Sequence, residues 1–152
     1  MATPARRRFM SVLAGLAAAP LLRTRAARAQ SDPFAPLVLK VTSGAPVKPG
    51  RVTVDTPVLA DNGHSVPLTL RVESPMTAAN HVRSITLFSE KNPRPVIATF
   101  HLGPSAGRPE VATRARLNGT QRLLAVAQLS DGSYWSGGAA VVVTESAGLD
   151  ES

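Results

Sequence analysis

The chain has 152 residues with 17 basic and 10 acidic side chains, a formal charge of +7, and no cysteine. The missing thiol excludes disulfides, thiolate zinc sites, iron–sulfur clusters and thiol catalysis within these residues. The charge is no sign of a nucleic-acid binder. Six of the basic residues (Arg6, Arg7, Arg8, Arg23, Arg25, Arg28) crowd into the first 29 positions, and the remainder carries 11 basic against 10 acidic residues, a net +1. A nearly neutral domain offers phosphate backbones no electrostatic footprint, and one Trp, one Tyr and four Phe are too few for a base-stacking platform.

The first segment reads as an address. Arg6-Arg7-Arg8-Phe9-Met10 is a basic stretch with the twin-arginine arrangement. Ser11 to Leu22 is Ala-rich, moderately apolar and too short to span a bilayer, and Ala27-Arg28-Ala29 is a small-x-small cleavage site. The expectation is a twin-arginine signal peptide over 1–29, export to the periplasm, and a mature chain starting at Gln30 with no membrane anchor. That route carries folded cargo. The sequence shows no cofactor motif, so a partner travelling with the chain is the expected reason for folding first.

Residues 30–50 read as a short helix or coil followed by a linker. Asp32-Pro33 suits a helix start, Phe34, Leu37, Val38 and Val41 recur at helical spacing, and Ser43 to Gly50 is rich in Pro and Gly. From Arg51 to Thr144 strand signals follow one another. Val52 and Val54 alternate with polar neighbours, and Val66, Leu68, Leu70 and Val72 alternate with Pro67, Thr69 and Arg71. Val82 to Phe88, Pro95 to Leu102 and Glu110 to Leu117 come next. In the last of these, Val111, Ala115 and Leu117 oppose Arg114 and Arg116. Arg122 to Leu129 is almost wholly apolar and suits a central strand. Tyr134 to Thr144 is the last strand, with a bend expected at Gly137-Gly138. Asp61-Asn62-Gly63, Asn118-Gly119 and Asp131-Gly132 tolerate positive φ and favour tight hairpins. About seven short strands with turns at these intervals predict an all-β, immunoglobulin-like β-sandwich. Residues 145–152 are a polar tail.

Little in the chain points to chemistry. His64, His81 and His101 are spaced as no local ligand motif requires, and Met76 is the one methionine after the leader. No Gly-x-Ser-x-Gly elbow occurs, the carboxylates are spread over turns, and Gly103 to Gly107 lacks the Lys-Ser/Thr of a phosphate loop. No catalytic, metal or cofactor-binding residue is expected, and the chain is read as a binding module rather than an enzyme.

Two stretches are more distinctive: Ser74-Pro75-Met76-Thr77-Ala78-Ala79-Asn80-His81-Val82-Arg83-Ser84-Ile85, and Glu90-Lys91-Asn92-Pro93-Arg94-Pro95-Val96-Ile97-Ala98-Thr99-Phe100-His101. With Asp61-Asn62-Gly63 and Leu129-Ser130-Asp131-Gly132-Ser133-Tyr134 they resemble the SoxY family of sulfur-oxidation carriers, from about Phe34 to Thr144. The resemblance implies a sandwich that pairs with a second sandwich, SoxZ, and a role in periplasmic thiosulfate oxidation beside other sulfur-oxidation enzymes. It also implies a C-terminal Gly-Gly-Cys-Gly-Gly arm whose cysteine bears the sulfur. Here Ser146-Ala147-Gly148-Leu149-Asp150-Glu151 stands in that place, so the carrier residue has no counterpart. The other reading is a SoxY-like module in another periplasmic oxidation pathway, for example beside a dehydrogenase. The candidate partner surface is Thr77, His81, Arg83, Asn92 and Arg94. Arg114, Arg116 and Arg122 form either a basic patch or a solvated outer face.

Overall fold

Alternation decides the smaller of two sheets. In β4 (Val66–Val72) the even-numbered side chains are buried and Pro67, Thr69 and Arg71 face outward, so one face of the strand must meet another layer. β4 pairs antiparallel with β2 (Val52–Asp55) on one side and β7 (Glu110–Ala115) on the other. Pro67 has no N–H to give, yet it sits in the middle strand. It is tolerated because the β2 ladder stops at Asp55, opposite Thr69, so no strand partner needs an N–H from Pro67, whose carbonyl accepts the Thr56 hydroxyl (3.2 Å). The structure is a computed structural model that describes residues 31–146. The expected leader and tail residues 147–152 lie outside the described residues.

The larger sheet runs β1–β9–β8–β5–β6, with β3 also paired to β9. Its members are β1 (Val47–Pro49), β3 (Leu59–Asn62), β5 (Val82–Ser89), β6 (Val96–His101), β8 (Gln121–Leu129) and β9 (Tyr134–Glu145). β8 lies between β9 and β5, the central place that its apolar run predicts. The sheets stack face to face. Leu68 and Leu70 of the smaller sheet share one core with Ile85, Leu87, Leu123 and Val141 of the larger. Fully burying side chains of this size contributes roughly 1.5–3 kcal/mol each before entropy is counted.

The expected all-β sandwich is therefore present, with two strands more than the alternation showed. β1 falls in the segment read as a Pro/Gly linker, and β3 runs into the turn read at Asp61-Asn62-Gly63. Each is three or four residues long and pairs in parallel with β9, Val47 opposite Tyr134 and Leu59 opposite Val142. No local pattern can announce a partner that far along the chain.

Two of the three expected hairpin turns connect different sheets. Asn62-Gly63 leads from β3 to β4 and Asn118-Gly119 from β7 to β8, each from one layer to the other. Only Asp131-Gly132 closes a hairpin, with Gly132 at φ 85°. A dipeptide that tolerates positive φ fixes a change of direction. Which face of the next strand is apolar then decides the layer it joins.

The helix α1 (Ala35–Thr42) lies on the outer face of the larger sheet. Asp32 Oδ1 accepts the Phe34 N–H (3.3 Å), and Ser43 ends the helix in a left-handed conformation. Phe34, Leu37 and Val38 pack against Phe88 and Val126 as the spacing predicts. Val41 is exposed and Thr42 is buried in its stead. Thr42 follows Val38 by four positions and so continues the sheet-facing stripe.

Candidate functional site

The resemblance directs attention to the end of the last strand, and β9 is clamped there on both sides. The Gly63 N–H donates to the Glu145 carbonyl (2.7 Å) and the Thr144 hydroxyl to the Asp61 carbonyl (2.6 Å). On the other side, Thr120 Oγ1 accepts the Val143 N–H (3.0 Å) and donates to the Val143 carbonyl (3.3 Å), extending the β8–β9 ladder by side chain. The Ser146 hydroxyl reaches Asn118 Oδ1 (2.6 Å). The chain is thus held in place up to Ser146.

Beside that clamp is a polar network built on the β5–β6 hairpin. Asn92 Nδ2 donates to the Arg116 carbonyl (2.8 Å), while Asn92 Oδ1 accepts from the Asn118 N–H (2.9 Å) and from Gln121 Nε2 (3.2 Å). Gln121 is almost fully buried, and its Oε1 takes the Lys91 N–H (3.1 Å). Asn92 therefore ties the hairpin to the β7–β8 connection. Arg94, two residues on, is exposed.

The five candidate surface residues do not form one patch. Thr77, His81 and Arg83 lie where β5 begins, and Asn92 and Arg94 lie past its other end. At the first end, His81 Nδ1 is 3.2 Å from the Thr77 carbonyl, the His81 N–H donates to Ser130 Oγ (3.0 Å), and Arg83 is exposed. Met76 plugs this corner. It is buried, with φ 52°, and its sulfur accepts the Val82 N–H at 3.4 Å. Sequence reasoning missed Asn118, Thr120 and Gln121. The Asn-Gly turn was the one local signal for them, since their partners come from β9 and the β5–β6 hairpin.

Of the three arginines read as either a basic patch or a solvated outer face, Arg114 lies on the smaller sheet, Arg122 on the larger, and Arg116 in the connection between them. Arg114 reaches Ser65 on the smaller sheet. Arg122, on β8, pairs with Glu90 (3.2 Å) and Asp32 (3.7 Å) and lies over the Phe34 ring. The Arg122 guanidinium and backbone N–H hold the Glu90 carboxyl below its usual range. The Asp131 carboxyl is likewise held low, by the Ser133 hydroxyl and backbone N–H. Among the described residues no group of three or more His, Asp or Glu side chains could hold a metal, and no helix is long and apolar enough to cross a membrane.

A sequence model of the family described as "Sulfur oxidation protein SoxY" matches residues 39–148. Among solved structures, the sulfur carrier protein SoxY from Chlorobium limicola f thiosulfatophilum is similar with a TM-score of 0.61 at 25% identity, covering 73% of this chain and 96% of that one. A superoxide reductase (neelaredoxin) from Ignicoccus hospitalis gives a TM-score of 0.55 at 18% identity, over 62% of this chain and 80% of that one. A superoxide reductase from Nanoarchaeum equitans gives 0.53 at 14%, over 63% and 100%. The reductases show a shared fold and no more than that. No curated protein sequence matches the chain. The matched span takes in every strand of the sandwich, from β1 to the clamped end of β9, and supports a role like that of the sulfur-oxidation carriers: the chain belongs to the SoxY family.

Proposed function

We propose that this chain is an exported periplasmic subunit of a thiosulfate-oxidising assembly, paired with a SoxZ-like sandwich and unable to carry sulfur covalently on its own side chains. One observation carries the reading: a sequence that matches a carrier family through residue 148 contains no cysteine. A covalent sulfur adduct needs a nucleophile that ionises near neutral pH. A thiolate does so, and a serine hydroxyl does not without an adjacent base. The Ser146 hydroxyl donates to the amide oxygen of Asn118. Glu145, Asp150 and Glu151 add negative charge that repels thiosulfate and sulfite. What remains for such a chain is to hold the partner rather than catalyse.

The test is co-purification with a SoxZ-like protein, followed by incubation with thiosulfate and the oxidising enzymes and intact-mass measurement of both chains. The expected result is an equimolar complex in which this chain keeps its unmodified mass. A stable sulfane or sulfonate increment on this chain overturns the non-carrying role. Failure to co-elute overturns the pairing.

A further inference from the structure

At the end of the sandwich away from Ser146, the chain leaves β1 and enters β2 through Gly50 and Arg51. Arg51 sits in a left-handed conformation, φ 61°. Its carbonyl accepts the Glu73 N–H (2.8 Å), so the crossover itself demands this backbone. Glycine or asparagine is the inexpensive residue at such a position. An arginine there is explained by what its side chain does. The guanidinium lies 4.8 Å from the centre of the Trp135 ring, and Lys48 Nζ lies 5.5 Å from the same ring. The ring is fixed in turn. Trp135 Nε1 donates to Ser133 Oγ (3.2 Å), whose hydroxyl donates to Asp131 (2.6 Å). Two cations are thus gathered on one aromatic ring.

Arg51, Arg71 and Arg108 line a groove of about 370 Å³ between the start of β2, the end of β4 and the start of β7. Arg71 is neutralised by Asp55 (3.2 Å) and Glu110 (3.0 Å). Arg51 and Arg108 form no ion pair among the described residues, and Glu73 is the one other acid in the wall. The groove therefore keeps two forked donors outside any ion pair, with Glu73 in its wall and Asp131 near enough to Arg51 to feel its charge. We propose that it binds a small tetrahedral oxyanion of the sulfate or phosphate type between Arg51 and Arg108. One fork satisfies both oxygens of a carboxylate. Two forks from different connections suit an anion with more oxygens and a double charge. Stacking on Trp135 holds one fork in place before the anion arrives.

Trp135 is the only tryptophan in the chain, so its emission reports directly on Arg51. The full chain is titrated with sodium sulfate, ionic strength being held constant with sodium chloride. A saturable change in emission is expected, and phosphate should act alike. Arg108→Gln leaves the contacts of the ring intact and should raise the half-saturation concentration roughly tenfold. Arg116→Gln, at the other end of the sandwich, should leave it unchanged. A non-saturating response, an equal response to acetate or chloride, or unaltered affinity in Arg108→Gln overturns the proposal.

Discussion

The carbonyl oxygen of Val52 occupies the space that a Cβ on Gly137 would need. The crossover into β2 passes directly over the inner face of β9 at this point. The expected bend at Gly137-Gly138 is thus a place of close backbone approach, and hydrogen is the only side chain that fits. Gly137→Ala should destabilise the fold by about 2–3 kcal/mol or more, because backbone on both strands must shift. Gly138→Ala, whose Cβ would come 2.9 Å from the Leu123 carbonyl, should cost less. Urea unfolding of the two variants beside the parent chain checks the order.

The Glu90–Arg122–Asp32 contact joins the β5–β6 hairpin to the start of α1 through β8. Because the folded state holds the Glu90 carboxyl below its usual range, its contribution to stability is present above the ordinary carboxylate pKa and is lost as pH falls through the depressed value. Glu90→Gln should therefore lower Tm by a few degrees near neutral pH. The gap from the parent should close in acid, below the folded pKa. Thermal melts across that range decide it, and a gap that widens in acid contradicts the assignment.

Asn92 and Arg94 are neighbours in sequence with opposite expectations. Asn92→Ala leaves the Asn118 N–H and the Arg116 carbonyl without their partner and should cost about 1–3 kcal/mol. Arg94→Ala touches nothing that holds the fold and should stay within about 0.5 kcal/mol of the parent. If Arg94 belongs to a partner surface, its variant should lose affinity for the SoxZ-like protein while keeping its melting temperature.

Export is testable without the partner. Replacing Arg6 and Arg7 by lysine should hold the chain in the cytoplasm at its full mass, whereas the parent should be recovered from the periplasm with Gln30 as its first residue. Fractionation followed by intact-mass measurement reads both outcomes.

The strands that carry an alternating or wholly apolar pattern were legible from the residues alone. β4 and β8 announce both their existence and their place, because half or all of their side chains must leave water. β1 and β3 were not legible, since their pairing depends on the edge of β9 and not on their own composition. The Asn-Gly turns announced themselves without revealing that they change layers. At the candidate site, the missing thiol was legible at once. The role of Asn92 was not, because its three contacts, with Arg116, Asn118 and Gln121, arise only when β7 and β8 come to lie beside the hairpin.

The parallel pairing of β9 with β1 and β3 sets an order of events in folding. The first two strands of the larger sheet have no edge to join until nearly the whole domain has been synthesised, so this is a topology of high contact order, with large loops to close before the pairing repays them. A nascent chain halted before Tyr134 leaves β8 with one open flank and Val126 and Leu124 without their β9 neighbours. It would be a target for chaperones and proteases until the ribosome delivers the last dozen residues of the sheet.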